Sequence, residues 1–518
     1  MILMTTPIRT RFAPSPTGYL HIGGVRTAMF AWLLVKRHGG QFVLRIDDTD
    51  GDRNRPEALQ PILDGFRFLG MDWDEGPEIG GPYGPYFQSQ RGDLYMAAAM
   101  KLLEAGLAYP DYLSREELDA EKKTADTAKR AYVHRGPLRD NDPADNVRRY
   151  RERPTTLRFK IPDGRTIVVD DLICGQCSQK SDLLGDLVIL RADGRALYNF
   201  ASVVDDAMMK MTHVLRAREH LTNTYPQVLI FEALGYELPR FGHLPNVNEP
   251  NSKKKLSKRD MAKFVTPEIR GKLQAIGYTG EQIEARDDLN PATVAFYQEM
   301  GYLPDAVLNY LCRLGWSLDD KTEFFPRELL IASFGLERVN DAAASFDPNK
   351  FFWVAGEHMK IQKPADKLAG CLPFLRKAGM IGDAPDAQTL AKIGTIVAAM
   401  GDRMKLFSDI IAYARPFLAS EVEYDPKAVE KRLKKPGAVE LLQRYLPELE
   451  AATAFDAPSL DTQMHVWAEA NGVKIGEMVH PVRVAISGVE VGVSLFEAMA
   501  ILGKDTTIAR MKTAIAMV

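Results

Sequence analysis

The chain has 518 residues, 46% apolar and 26% charged, with a formal net charge of −3. That length exceeds what one hydrophobic core ordinarily serves, so several domains are expected, and the small net charge excludes a protein that coats nucleic acid by bulk attraction but not one with a local basic surface. No apolar run reaches the ~20 residues of a membrane span, the opening residues lack the apolar stretch of a secretory signal, and four cysteines make no disulfide framework, so a cytoplasmic protein with no membrane partner is expected.

Ile8 to Phe12 reads as a short strand, and Ala13-Pro14-Ser15-Pro16-Thr17-Gly18 must turn, since two prolines and a glycine continue neither helix nor inner strand. A helix is predicted from Val25 to His38, with Val25, Met29, Trp32 and Leu33 on one side, basic residues in its last turn and a Gly39-Gly40 stop. Gln41 to Ile46 reads as a second strand, with Asp47, Asp48 and Asp50 at its carboxyl end. Strand, glycine turn, helix and strand open a Rossmann-like nucleotide-binding layer, and ligands bind at the carboxyl ends of such strands. The P-loop pattern is absent, which removes most support for a P-loop kinase or GTPase.

Residues from about 111 to 190 look like a separate unit, basic and then β-rich over Leu157–Ile161, Ile167–Asp170 and Leu187–Leu190. The basic side chains run from Lys122 and Lys123 through Arg135, Arg139, Arg148 and Arg149 to Arg158 and Lys160. They are interrupted by acids, so a solvated charged face competes with a nucleic-acid surface. From Val203 the style of the first unit returns, as a sheet interrupted by an insertion would. Beyond about residue 292 helix follows helix: Asp305–Leu314, Pro326–Phe334, Ala387–Leu406, Ala428–Tyr445, Thr462–Ala470 and Thr506–Val518.

Two segments carry candidate chemistry. In the first, Ser15, Thr17 and His21 lie on the turn before a helix start, where unsatisfied backbone N–H groups suit a polyphosphate. Gly23 and Gly24 there leave room for a nucleotide on the backbone, and a histidine that merely caps its own helix is the competing reading. The second is Lys253-Lys254-Lys255-Leu256-Ser257-Lys258-Arg259, which has no apolar stripe to fold it down. It is either a loop ordered by anionic ligand charge or a solvated surface run.

Taken together, these segments resemble the two signatures of class I glutamyl-tRNA synthetases of the bacterial type: Thr10-Arg11-Phe12-Ala13-Pro14-Ser15-Pro16-Thr17-Gly18-Tyr19-Leu20-His21-Ile22-Gly23-Gly24 and Lys255-Leu256-Ser257-Lys258-Arg259. Leu197 to Asp206 and Thr212 to Arg216 look like that family's central block, and Leu308 to Trp316 like its stem-contact helix.

The resemblance implies an α/β Rossmann-like catalytic domain (1–110 and 201–260) interrupted by an inserted acceptor-end-binding domain (111–200). A stem-contact region (261–345, with an insertion near 264–291) and an all-α anticodon-binding region (346–518) would follow. It implies ligation of L-glutamate to tRNA(Glu) through a glutamyl-adenylate, with ATP and Mg²⁺, by a monomer. Thr17, His21, Gly23, Gly24, Lys255, Ser257 and Lys258 would bind ATP, with His21, Lys255 and Lys258 acting in catalysis. Arg11, Ser15, Asp47, Tyr198 and Arg216 would bind glutamate, and Asp50 would lie near the tRNA acceptor end.

The chain departs from the family's pattern in places. Asp47 stands where a glutamate is usual. Tyr109 to Leu113 lacks the cysteines that hold zinc in many relatives, and Cys174 and Cys177 with His134 make an incomplete site, so no protein-bound zinc is expected. Arg218 follows the central arginine, either to hold the tRNA backbone or to pair with Asp205 or Asp206. The segment 264–291 either forms a surface excursion or covers the lysine loop. Arg432, Lys434 and Lys435 are phosphate-contact candidates or a solvated helix end. The alternatives are a glutaminyl-tRNA synthetase and an inactive tRNA-binding scaffold. Gly24, where glutaminyl enzymes tend to carry histidine, and the helices beyond 320 favour the glutamyl enzyme. Whether tRNA(Gln) is also charged stays open.

Overall fold

The computed structural model describes residues 7–16, 18–49, 56–256, 261–419 and 421–518; Thr17, Asp50, Ser257 and Lys258 lie outside the described residues. There are two compact units, each discontinuous in sequence. The first runs to Phe264 and adds Asn290–Phe296 and Val307–Pro348; the second comprises Val265–Leu289, Tyr297–Ala306 and Asn349–Val518.

In the first unit, β1 (Arg9–Phe12) pairs in parallel with β2 (Gln41–Leu44), and α1 (Ile22–His38) crosses between them. The apolar residues of α1, among them Val25, Met29 and Leu33, are buried. Gly39 ends the helix at φ 69°, in the left-handed region, with its N–H donating to Val35. The helix begins at Ile22, three residues earlier than its apolar periodicity predicts, because His21 caps it. Helices α2 (Leu59–Leu69) and α3 (Gly92–Glu104) follow.

The next stretch supplies β3 (Ala108–Asp111), α4 (Arg115–Thr127), α5 (Pro143–Glu152), β4 (Thr156–Phe159), β5 (Thr166–Asp171), β6 (Gly175–Lys180) and β7 (Leu187–Leu190). β3, β4 and β7 form an antiparallel sheet, and β5 and β6 a hairpin. The chain returns through α6 (Tyr198–Met208), β8 (His213–Ala217), α7 (Leu221–Leu234) and β9 (Arg240–Leu244), with β8 and β9 parallel. The Thr212 N–H donates to the Arg9 carbonyl at 3.0 Å, tying the start of β8 to β1. Leu157 and Ile189 of the inserted segment share one core with Phe200 and Val204 of α6 and Ile230 of α7. The inserted strands are thus packed into the catalytic layer rather than hung from it.

The second unit is predominantly helical. Residues 428–445, predicted as one helix, are broken: a π-helical turn over Val429–Leu433 is followed by a new helix, Ala438–Ala451. Gly437 sits at φ 83° after Pro436, and that turn overrides the apolar periodicity. The segment read as an excursion contributes helices Pro267–Ile276 and Gly280–Ala285, capped by Thr266 and Thr279. Leu273 and Ile276 are buried, Lys272 pairs with Asp409 at 3.4 Å, and Lys377 pairs with Glu299, which also accepts from Tyr278. It is part of this unit's packing. Among the described residues, no helix is long and apolar enough to cross a membrane.

Candidate active site

A cavity of about 740 Å³ opens at the carboxyl ends of β1, β2 and β8. Arg11, Ser15, His21, Gly23, Gly24, Asp47, Tyr198, Arg216 and Lys255 all line it. Residues up to 244 positions apart in sequence (11 and 255) therefore face one space, because three strands of the same layer end there.

His21 holds the helix start. Its Nδ1 accepts from the Gly23 N–H at 3.0 Å, so the proton of the neutral ring resides on Nε2. A Cβ at Gly23 would lie 3.2 Å from that Nδ1 and crowd the imidazole. The capping role and a phosphate-donor role use different nitrogens and do not exclude each other.

Behind the cavity lies a buried charge network. Arg11 donates from Nε and Nη2 to Asp206 at 3.0 and 3.2 Å. Arg45 donates to Asp206 at 2.7 Å and to Asp47 at 2.8 Å. Asp205 accepts from Arg91 at 2.6 Å, Gln88 at 2.7 Å and Tyr95 at 2.8 Å. Burial pushes the Asp47 carboxyl up to about 6, against the pull of Arg45. Asp206 is held below the usual carboxylate range: burial opposes this, but Arg11 and Arg45 outweigh it.

Arg216 is built differently. It is buried, yet its contacts are neutral: Nε to His243 at 3.1 Å, Nη2 to Thr224 and Gln227 at 2.7 Å each, and Nη1 to Tyr198 at 3.5 Å. Among the described residues no carboxylate forms an ion pair with it, and burial lowers its pKa. A desolvated cation without a counter-ion, facing a cavity, is a site for an anion.

Lys255 is ion-paired with Glu219, which also lines the cavity, while Lys254 and Lys263 pair with Glu249 at 3.6 and 2.7 Å. His220 lines the same wall. Burial, reinforced by Arg216, pushes its pKa down to about 4, so it stands there as a neutral ring. Sequence reasoning named neither Glu219 nor His220 as a site residue, although both follow closely on Arg216, just beyond the block singled out.

Some expectations are corrected. Arg218 does not pair with Asp205 or Asp206, whose oxygens are taken by Arg11, Arg45 and Arg91; it donates to the Asp341 carbonyl at 3.0 Å. Much of the basic run is internally paired, Arg139 with Asp186, Arg148 and Arg149 with Asp145, and Arg158 with Asp111. Arg432 and Lys434 are paired too, with Glu490 and Glu430. His134 lies between Asp111 at 3.2 Å and Glu121 at 2.9 Å. Cys174 and Cys177 are free thiols on the β5–β6 hairpin. Among the described residues, no group of three or more His, Cys, Asp or Glu side chains is placed to hold a metal ion.

The family model for class I tRNA synthetases (E and Q), catalytic domain, matches residues 7–281 and 272–353, and the anticodon binding domain model matches 367–515. The chain is 38% identical over 509 residues to a glutamate–tRNA ligase of Moorella thermoacetica, covering 98% of each. The chain belongs to the glutamate–tRNA ligase family. A second such ligase, from Anaeromyxobacter sp. (strain K), is 40% identical with the same coverage. The crystal structure of a glutamate tRNA ligase from Elizabethkingia meningosepticum, solved in complex with its amino acid, superposes at a TM-score of 0.84 with 31% identity, covering 99% of each chain. The anticodon binding domain model and coverages of 98–99% place the helical second unit within the length that these glutamate–tRNA ligases share.

Proposed function

We propose that this glutamate–tRNA ligase joins L-glutamate to tRNA(Glu) in two steps within the cavity at the strand ends. In the first, an α-carboxylate oxygen of glutamate attacks the α-phosphorus of ATP, its bond to pyrophosphate breaks, and the mixed anhydride forms. In the second, the terminal ribose 2′-hydroxyl attacks the anhydride carbonyl and AMP leaves with the proton from that hydroxyl. Magnesium arrives with ATP.

Positioning and charge neutralisation supply most of the rate in such phosphoryl chemistry. His21 Nε2 donates to a polyphosphate oxygen, the helix start around Gly23 and Gly24 carries the nucleotide, and Lys255 exchanges Glu219 for phosphate. Thr17, Ser257 and Lys258 belong to the same grip by their place in the signatures, and Asp50 to the acceptor end by its own. Arg11 and Arg216, with Tyr198, hold the carboxylates of glutamate; Ser15 and Asp47 face its α-carbon end. The acceptor end meets the inserted strands, and the helical unit meets the anticodon. The enzyme works as a monomer in the cytoplasm, without protein-bound zinc.

The observation that carries the assignment of glutamate is the buried Arg216, whose contacts among the described residues are all neutral. A glutamine amide leaves that charge uncompensated; a carboxylate neutralises it. The test is aminoacylation with purified tRNA(Glu) and tRNA(Gln), each with labelled glutamate and labelled glutamine. Glutamyl-tRNA(Glu) is expected and glutaminyl-tRNA is not; glutaminylation of either tRNA would refute the assignment. The tRNA(Gln) arm reads whether the second tRNA is also a substrate.

A further inference from the structure

Asp171 closes β5 at the hairpin turn, where its Oδ1 accepts from the backbone N–H groups of Ile173, Cys174 and His243 at 3.0, 2.9 and 3.1 Å. Its Oδ2 lies 2.5 Å from Nδ1 of His243, and both side chains are fully buried. Burial alone would raise the Asp171 pKa; the bonds from His243 and the backbone outweigh it and hold the group below the usual range, so it is ionised and accepts only. Nδ1 of His243 must therefore donate, which leaves the lone pair on Nε2. That lone pair meets the Arg216 Nε–H at 3.1 Å, and the Thr224 hydroxyl lies 2.9 Å from the same nitrogen.

The consequence for the guanidinium is geometric. Nε is fixed by His243 and Nη2 by Thr224 and Gln227, while among the described residues Nη1 has only the long 3.5 Å contact to Tyr198. The edge bearing Nη1 is thus the one presented to the cavity. A charge-assisted hydrogen bond from Nη1 to a carboxylate depends on orientation, and a ring locked in one tautomer supplies orientation without adding charge.

We propose that Asp171 and His243 are positioning residues for glutamate: the carboxylate sets the imidazole tautomer, and the imidazole sets the Arg216 guanidinium that grips the substrate carboxylate. Asp171 comes from the inserted segment and His243 from β9, so the β5–β6 hairpin is wired directly to the amino-acid pocket. The proposal rests on Arg216 being the carboxylate-binding group.

The test measures kcat and the KM values for glutamate and ATP by ATP–pyrophosphate exchange with saturating tRNA. His243→Leu removes the acceptor, and His243→Gln retains one in Oε1. The leucine variant is expected to raise the glutamate KM at least about 10-fold while leaving the ATP KM within about 2-fold, and the glutamine variant to recover most of the loss. An unchanged glutamate KM, or equal rises in both KM values with no recovery by glutamine, overturns the proposal. If His243→Leu does not fold, His243→Phe, which keeps ring volume without the acceptor, takes its place. Loss of folded protein in both assigns the pair to the fold and also overturns it. Arg216→Gln in the same assay separates the two levels: an unchanged glutamate KM there refutes the pocket reading itself, whereas a large rise beside a silent His243 refutes only the positioning role.

Discussion

Lys255, in the lysine-rich loop, is ion-paired with Glu219 on the facing wall of the cavity. The cation proposed to meet the polyphosphate is therefore held by an internal carboxylate that ATP must replace. Both side chains are about half exposed, 51% and 50%, so water screens the pair and its strength is at most about 1 kcal/mol. Glu219→Gln is expected to lower the ATP KM by no more than about 5-fold and to leave the glutamate KM unchanged. A pyrophosphate-exchange titration against ATP reads this directly, and a weaker ATP interaction in the variant would count against the exchange of partners.

His21 performs two separable tasks. Its Nδ1 caps α1 through Gly23, and loss of such a cap costs about 1 kcal/mol. Loss of a donor to the transition-state phosphate costs about 10²–10³ in rate. Asparagine retains a capping acceptor without the distal donor. His21→Asn is therefore expected to melt near the wild type yet lose about 100-fold in adenylate formation, whereas His21→Ala loses both. Activity retained in a well-folded asparagine variant would reduce His21 to a cap.

Asp47 gives the chain a pH signature. Burial, opposed by Arg45, raises its carboxyl to about 6, and only the ionised form attracts the substrate ammonium. The kcat/KM for glutamate should fall about tenfold per pH unit below 6, and Asp47→Asn should be weaker at pH 8 but lack that limb. The stability effect has the opposite sense. A raised carboxyl favours the fold most below its unfolded value of 3.8, and its contribution declines as pH rises through about 6. Asp206 is depressed by Arg11 and Arg45 despite burial. It therefore stabilises the fold above 3.8, and that stability disappears as pH falls through its folded value. Exchange profiles between pH 5 and 8, with thermal melting extended below pH 3.8, distinguish the two carboxylates.

The segment 265–289 contributes buried side chains to the packing of the helical unit. Leu273 is fully buried there, and truncating such a side chain costs about 2–5 kcal/mol. Leu273→Ala should lower the melting temperature of that unit while ATP and glutamate KM values stay within about 2-fold. A rise in the ATP KM without loss of stability would instead support a role over the lysine loop.

The local parts of this architecture were legible in the sequence. Pro14, Pro16 and Gly18 announce the turn, Gly39 ends α1, and apolar periodicity marks the helix between them. The pairing of the first turn with the distant lysine cluster was legible only through resemblance to a known family, since no local rule joins residues 11 and 255. What escaped was long-range chemistry. Asp171 and His243 are 72 positions apart, and nothing in either neighbourhood says that they are hydrogen-bonded. Pairing with Asp205 or Asp206 is one of the two readings that the sequence allows for Arg218, yet three other guanidiniums occupy those carboxylates. At Pro436-Gly437 the break was written in the sequence and lost to the stronger periodicity around it.

The most direct measurement is ATP–pyrophosphate exchange with saturating tRNA(Glu), comparing glutamate with glutamine. A buried Arg216 with no ion pair among the described residues should favour glutamate by at least about 10³-fold in kcat/KM, and Arg216→Gln should abolish most of that preference. Equal use of the two amino acids by the wild type, or a preference untouched by the substitution, would contradict the claim that this guanidinium selects the substrate.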